Sequence, residues 1–119
     1  MNELARLKIE ERGTVAVASV RGELDISNSP ATGDAIAAEL QIEARGLIVD
    51  FSELEFLDSS AISMLFSLAR RLGERRQALH VVAPKAGAVA RVLDIVEFDR
   101  AAPVHASLDE ALAEFGGDD

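Results

Sequence analysis

Cysteine, tryptophan and tyrosine are absent from this 119-residue sequence, and phenylalanine occurs only five times. Without cysteine the chain has no disulfide, no thiolate metal ligand and no cysteine nucleophile. Without tryptophan or tyrosine it has no row of aromatic side chains on which nucleic-acid bases would stack. We therefore expect a function that requires neither cysteine chemistry nor base stacking.

Long hydrophobic runs are also missing. No apolar stretch approaches the roughly 18–20 residues that a membrane-spanning helix needs. The first residues, MNELARLKIEERG, are charged and lack the apolar centre of a signal peptide. We therefore expect a cytoplasmic protein with no membrane partner.

Positive charge is scarce, because 12 Lys and Arg residues face 21 Asp and Glu residues, and the formal net charge is −9. An acidic surface repels DNA, RNA and anionic lipid, so we expect no nucleic-acid partner. The same charge suits a basic protein partner, although solubility alone also explains it.

Short apolar strands alternate with helical patterns along the chain, in the predicted order β-β-α-β-α-β-α-β-α. Such alternation requires right-handed crossovers and a mainly parallel sheet, to which the first two strands add a hairpin. The sequence thus predicts an α/β fold: a mixed, mainly parallel sheet with an N-terminal antiparallel hairpin and about four helices. We assign it to a single domain, residues 1–119, in which 116–119 form a frayed acidic end.

Turn formers and polar clusters set the expected boundaries of these elements. Ser29 is expected to cap the first helix, which would run to about Ala44. Residues 52–55 are expected to form a polar turn after the third strand. Gly73 is expected to end the second helix, and Pro84 to open the third.

The stretch from Leu47 to Leu72 is the most informative part of the chain. It opens with a short apolar run that predicts a buried central strand. Asp58, Ser59 and Ser60 directly precede a helical apolar pattern, so their oxygens can accept from the free N–H groups of the first turn. Capping alone would explain one such residue. Two hydroxyls behind an acid exceed that requirement, and a phosphate on either would lie where the helix dipole favours anions.

Features of catalysis are sparse. The two histidines, His80 and His105, lie far apart in sequence, and no Gly-x-Ser-x-Gly elbow surrounds Ser59. There is no His-x-x-x-His pair and no glycine-rich loop that would cradle a phosphate. We therefore predict no enzymatic activity, no catalytic or metal-binding residues, no cofactor and no small-molecule substrate.

The central stretch resembles the STAS domain, which occurs in bacterial anti-sigma factor antagonists and in the cytoplasmic domains of sulphate transporters. The resemblance rests on the apolar strand, on the run Asp-Phe-Ser-x-Leu-x-Phe-Leu-Asp-Ser-Ser ending at Ser60, and on the apolar helix that follows. The segment Gly-Glu-Leu-Asp ending at Asp25 is also similar to the family's sequence. The resemblance covers the chain from about Leu7 to Phe115. Ala61 stands where the family usually has glycine.

The resemblance implies an anti-sigma factor antagonist. In its unphosphorylated form such a protein binds an anti-sigma factor serine kinase and releases the sigma factor, which regulates transcription. A serine phosphatase is the second implied partner. Ser59, directly after the aspartate, is the implied phosphorylation site, and Ser60 is the second choice.

The resemblance also implies a set of partner-binding residues, namely Asp25, Asp58, Ser59, Ser60 and Ala61. Asp25 has an alternative role as a turn residue that bonds its own backbone. Ala61 adds a methyl group where a partner's backbone would approach. The alternative function, which Ala61 favours, is a non-phosphorylated STAS subunit of a transporter or of a larger signalling assembly.

Overall fold

The computed structural model describes residues 4–115, which form a six-stranded mixed sheet with helices on both faces. The strands are β1 (Ala5–Arg12), β2 (Val15–Leu24), β3 (Gly46–Asp50), β4 (Leu54–Leu57), β5 (Ala78–Val82) and β6 (Val104–His105). The helices are α1 (Ser29–Glu39), α2 (Ser59–Glu74), α3 (Ala88–Ile95) and α4 (Leu108–Phe115), with a short 3₁₀ helix at Phe98–Arg100. The predicted α/β fold with four helices is confirmed. None of the helices within 4–115 is both long and apolar enough to cross a membrane.

The sheet has the order β1-β2-β3-β5-β6, and β4 pairs with β2. β1 and β2 form the predicted antiparallel hairpin, with Leu7 opposite Val20. The remaining pairs are all parallel. Because parallel strands carry their carboxyl ends to one edge of the sheet, the loops that follow β2, β3 and β4 lie at the same edge.

The strand β4 corrects the sequence expectation of a polar turn at residues 52–55, because Leu54 already begins a strand. β4 pairs with the end of β2, with Leu24 opposite Leu57, after a shift of register at Gly22. Only the first and last of its four residues are buried. A segment this short gives no alternation long enough to be recognised from the sequence.

Two apolar layers cover the sheet, one on each face. Along β2, Ala16, Ala18 and Val20 belong to the larger layer with α1, α2 and α3, whereas Val15 and Val17 belong to the smaller layer with α4. The buried members of the smaller layer are Val15, Val17, Ile48, Val82, Ala111 and Phe115. α2 and α4 therefore lie on opposite faces of the sheet.

The ends of α1 differ from the sequence expectation. Its N-cap residue is Asn28 rather than Ser29, and the buried Ser29 hydroxyl has no hydrogen-bond partner among the described residues. The helix ends at Glu39 rather than near Ala44, because Leu40 adopts an extended conformation and is buried. Burial of an apolar side chain thus overrides the helix propensity of the sequence that follows.

The boundaries of α2 and α3 also differ. α2 continues through Gly73, and Arg76 adopts the left-handed conformation (φ 59°) that a terminal glycine is expected to take. α3 begins at Ala88, after a turn in which the Gly87 N–H donates to the Pro84 carbonyl at 3.0 Å. Neither change moves the N-terminus of α2, where the predicted site lies.

Candidate functional site

Asp58 is the N-cap residue of α2. Its Oδ1 accepts hydrogen bonds from the backbone N–H of Ser60 (2.8 Å) and from the Ser60 hydroxyl (2.5 Å). The Ser60 hydroxyl holds the pKa of the Asp58 carboxyl below its usual range against the opposing effect of partial desolvation, and the backbone N–H groups of Ser60, Ala61 and Ile26 assist. A fixed, ionised carboxylate therefore marks the start of α2 at neutral pH.

The adjacent residues Ser59 and Ser60 lie in different environments. Ser60 is half-buried, and its hydroxyl donates to Asp58. Ser59 is the exposed first residue of α2, and its hydroxyl forms no hydrogen bond with any residue between 4 and 115. An enzyme that modifies a hydroxyl must reach it in solution. Ser59 meets this requirement better than Ser60.

Ala61 lies beneath the two serines and is fully buried. It lies within the first turn of α2 and is part of the larger apolar layer. This burial corrects the expectation that its methyl group faces a partner. The alanine fills space in the core, and the surface above it is formed by its neighbours.

The loop between β2 and α1 is held by Asp25 and Asn28. Asp25 Oδ1 accepts from the N–H (2.9 Å) and the hydroxyl (2.5 Å) of Ser27, so Asp25 has the turn role that the sequence allowed. The buried Asn28 accepts from the Asp25 N–H and donates to the Glu23 carbonyl, both at 2.9 Å. Sequence reasoning did not single out Asn28, because one Asn in a Ser-Asn-Ser-Pro loop looks the same whether it is buried or solvated.

Pairing of β2 with β4 brings this loop to the start of α2. Leu24 lies opposite Leu57, and the N–H of Asp58 donates to the Leu24 carbonyl at 3.2 Å. Ile26, whose N–H helps to lower the pKa of Asp58, is itself 71% exposed. Asp25 and Asp58 thus follow neighbouring strand ends. We call the surface formed by Asp25, Ile26, Asp58, Ser59 and Ser60 the α2 entry patch.

One type of turn occurs three times at this edge of the sheet. In Asp25-Ile26-Ser27, Asp50-Phe51-Ser52 and Asp58-Ser59-Ser60, the serine N–H and hydroxyl both donate to the aspartate Oδ1, at 2.8–2.9 Å and 2.5 Å. The turns follow β2, β3 and β4 in that order. Ser52 is not among the site residues predicted from the sequence. The recurrence of Asp-x-Ser after three strands is the signal that would have identified it.

The exposed face of α2 continues from the α2 entry patch toward α3. Ser59, Ser63 and Phe66 are all exposed and follow the three- and four-residue spacing of one helical face. The Phe66 ring meets the buried Phe98 ring edge-on, with centroids 4.9 Å apart. Near the 3₁₀ helix, Ile95 at the end of α3 is 71% exposed. Exposed apolar side chains beside a polar patch are typical of a protein-binding surface.

The two histidines lie on the other face of the sheet. His80 of β5 is buried, and its ring is hydrogen-bonded to the nearly parallel ring of His105 of β6 and contacts Phe115 of α4. Between residues 4 and 115, no group of three or more His, Cys, Asp or Glu side chains could hold a metal ion. The chemistry available at Ser59 is that of an exposed hydroxyl beside a carboxylate.

Solved structures of known proteins share this fold. A crystal structure of an anti-sigma factor antagonist from Mycobacterium paratuberculosis has a TM-score of 0.82 and 30% sequence identity, and the match covers 92% of both chains. SpoIIAA, a Bacillus cell fate determinant, has in its phosphorylated form a TM-score of 0.69 at 20% identity over 92% of this chain and 99% of its own. At that identity SpoIIAA supports the fold alone.

The sequence comparisons agree with the structural ones. The anti-sigma-F factor antagonist RsfB of Mycobacterium tuberculosis is 26% identical over 109 residues, which cover 92% of this chain and 88% of RsfB. The family model of the STAS domain matches residues 6–111, which is most of the chain. Together with the resemblance of the segment that ends at Ser60, this match means that the chain belongs to the STAS domain family, among the bacterial anti-sigma factor antagonists.

Proposed function

We propose that this chain is an anti-sigma factor antagonist that acts as a single binding module and is switched by phosphorylation of Ser59. Without phosphate it binds an anti-sigma factor that is also a serine kinase, and this kinase releases its sigma factor to direct transcription. Phosphorylation of Ser59 dissociates the complex, and a serine phosphatase restores the binding form. The observation that carries the proposal is the exposed Ser59 hydroxyl, without a hydrogen bond to residues 4–115, at the first position of α2.

The neighbouring Ser60 is less suited to phosphorylation. Its hydroxyl already donates to the carboxylate of Asp58, and the residue is half-buried. A phosphate on Ser60 would remove that hydrogen bond and bring a second anion against Asp58. Because Asp58 caps α2, the change would disturb the helix as well as the surface.

A phosphate on Ser59 would act on the interface more than on the fold. It adds about −1.5 to −2 charges, and the N-terminus of α2 favours an anion at that point. A partner packed over Ser59 would have to bury this charge beside Asp58, at a cost of several kcal/mol. A loss of about 3 kcal/mol weakens binding roughly a hundredfold.

The surroundings of Ser59 suit a protein partner. Ile26 on one side and Phe66 and Ile95 on the other are exposed apolar side chains that can anchor an interface. The net charge of −9 favours a partner with a basic surface. We propose that the partner covers the α2 entry patch, in which Asp25, Asp58, Ser59 and Ser60 make the polar contacts and Ala61 supports them from below.

The direct test is incubation with the cognate kinase and ATP, followed by intact-protein mass spectrometry. We expect wild type and Ser60→Ala to gain one phosphate and Ser59→Ala to gain none. Phosphate on Ser59→Ala but not on Ser60→Ala would move the site to Ser60. Absence of phosphate from all three proteins would contradict the switch.

Binding affinities test the same proposal without phosphate transfer. We expect Ser59→Ala to bind the kinase with or without ATP, and Ser59→Asp to bind roughly a hundredfold more weakly while its circular dichroism stays native. Ala113→Asp is the matched control, because it adds the same charge on an exposed position of α4, on the other face. Equal weakening by both substitutions would mean that net charge, and not the site, decides binding.

The alternative function, a non-phosphorylated STAS subunit of a transporter or larger signalling assembly, took mild support from Ala61 as an obstacle to the kinase. Because Ala61 is fully buried, its methyl group does not meet an approaching enzyme. That support is removed. In the proposed switch the kinase uses ATP as the phosphate donor, and this chain itself needs no cofactor, nucleic acid, membrane or small-molecule substrate.

A further inference from the structure

A hydrogen-bonded pair of histidines lies between the sheet and α4, on the face away from the α2 entry patch. His80 Nδ1 and His105 Nε2 are 2.8 Å apart, and the two rings are nearly parallel, with an interplanar angle of 6° and centroids 5.0 Å apart. The His80 ring also lies 4.4 Å from the ring of Phe115. His80 is only 8% exposed. The pair therefore forms part of the surface against which the end of α4 packs.

The hydrogen bond between His80 and His105 limits the number of protons that the pair can carry. A hydrogen bond between two imidazoles needs one nitrogen that donates and one that accepts. When both rings are protonated, every ring nitrogen is a donor, so the bond is lost and two cations meet at contact distance. A doubly protonated pair is thus incompatible with the packed arrangement.

The charges around His80 come from the elements packed against it. Burial lowers the pKa of His80, the charge of His105 on β6 lowers it further, and Glu114 on α4 partly opposes both. On β3, the residue in register with His80 is the apolar Ile48. Just before β3, Arg45 Nη1 donates to the Phe115 carbonyl at 2.9 Å, which ties the end of α4 to the sheet.

Within residues 4–115, the segment that the pair supports consists of two short elements. β6 is two residues long and pairs only with β5 among the described strands. α4 has eight residues, of which Ala111 and Phe115 are buried against the sheet. Short elements with few buried side chains open at a lower free energy than the core of a domain.

We propose that the His80–His105 pair is a proton-operated latch, in which uptake of the second proton separates the rings and releases β6 and α4 from the sheet. Release uncovers the smaller apolar layer, including Val17, Ile48 and Val82. The latch acts on the face opposite the phosphorylation site. It operates in mildly acidic solution, where histidine changes its charge.

The direction of the pH dependence follows from proton linkage. Because the pKa of His80 in the folded chain lies below its ordinary value of 6.5, the open form binds more protons as the pH falls below 6.5. The closed form is therefore fully favoured above pH 6.5 and loses stability as the pH falls through the folded pKa. Each additional proton taken up on opening raises the opening equilibrium constant by up to about tenfold per pH unit.

Hydrogen exchange of the full chain between about pH 7.5 and 5 tests the latch, with protection factors corrected for the intrinsic exchange rate at each pH. We expect protection of the α4 and β6 amides to fall by up to about tenfold per pH unit below 6.5, while α2 keeps its protection. His80→Phe keeps a ring against Phe115 but removes the titrating group, so the pH dependence should disappear. Protection of α4 that does not change with pH, or a wild-type pH dependence in His80→Phe, would overturn the proposal.

Glu114→Gln is a second variant that does not depend on the folding of His80→Phe. Glu114 is exposed and stabilises a proton on His80 in the closed form. Without this carboxylate the loss of α4 protection should continue to lower pH and reach a larger total. An unchanged or smaller loss would contradict the latch.

Discussion

At the scale of single residues, one hydrogen bond separates the roles of Ser59 and Ser60. The Ser60 hydroxyl is bonded to the carboxylate of Asp58, while the Ser59 hydroxyl faces solvent. The sequence Asp-Ser-Ser shows that both hydroxyls are present, but it does not show which of them is hydrogen-bonded. The difference arises because the Asp58 side chain lies over the first turn of α2. There its carboxylate accepts a hydrogen bond from Ser60, two positions further along the chain.

A first prediction concerns the pKa of Asp58, which is lowered mainly by the Ser60 hydroxyl. Ser60→Ala should raise this pKa toward its ordinary value of 3.8, whereas Ser59→Ala should leave it unchanged. Carbon NMR of the carboxyl group across an acid titration measures both. A shift in Ser59→Ala as large as that in Ser60→Ala would contradict the observed hydrogen bonding.

The same substitution changes stability against acid. A carboxyl whose pKa is depressed in the folded chain stabilises it above the unfolded pKa, and this contribution is lost as the pH falls through the folded pKa. In wild type that loss should therefore occur below about pH 3.8. In Ser60→Ala the contribution should be smaller and disappear at higher pH, which urea unfolding at a series of pH values would detect.

At the scale of secondary-structure elements, two glycines differ in whether the elements packed around them leave room for a side chain. Gly46 begins β3 at a point where a Cβ atom would lie 2.5 Å from both the Ala78 carbonyl oxygen and Cε1 of Phe115. Gly73 lies inside α2 with no atom within 4 Å of the corresponding position. The first glycine is required by close packing of β3, β5 and α4, and the second is not.

A second prediction compares alanine at these two positions. Gly46→Ala should destabilise the protein by about 1–3 kcal/mol, because the backbone of β5 and the Phe115 ring must move. Gly73→Ala should stabilise it by about 0.5–1 kcal/mol, because alanine loses less conformational freedom in a helix. Urea unfolding gives both values. A stabilising Gly46→Ala would show that α4 is not packed as described.

At the scale of the whole molecule, exposed apolar side chains lie at both edges of the sheet. Ile26 follows β2 at the carboxyl edge, within the α2 entry patch, and is 71% exposed. Ile42 lies between α1 and β3 at the amino edge and is 82% exposed. Hydrophobicity and exposure do not distinguish the two residues. Their positions relative to Ser59 do.

A third prediction uses this pair to locate the interface. Ile26→Glu should weaken binding of the kinase partner by about tenfold or more, since it places a charge where we propose an apolar anchor. Ile42→Glu adds the same charge at the opposite edge and should leave affinity within about twofold. Isothermal titration calorimetry measures both. Equal effects of the two substitutions would mean that the partner does not bind at the α2 entry patch.

Much of the architecture could be predicted because it follows from long periodic patterns. The valine pattern of β2 predicts a strand, although not that its first half is buried on both faces, and the apolar spacing after Ser60 predicts α2. The four-residue β4 could not be found in this way. Phe66 follows the same apolar spacing as the buried residues of α2, yet it is 38% exposed. The expected acidic end at 116–119 lies outside the described residues.

By itself the sequence determined the order of the strands and helices except for β4, the position of Asp58, Ser59 and Ser60 at a helix start, and the family. These features depend on neighbours within a few positions along the chain, which a linear pattern records. Only the tertiary structure decided that Ser59 is exposed, that Ala61 is buried and that Asp25 lies beside α2. It also brought His80 and His105 into contact. Exposure and contact depend on which elements pack against each other, and the pairings of β2 with β4 and of β5 with β6 join residues that are distant in sequence.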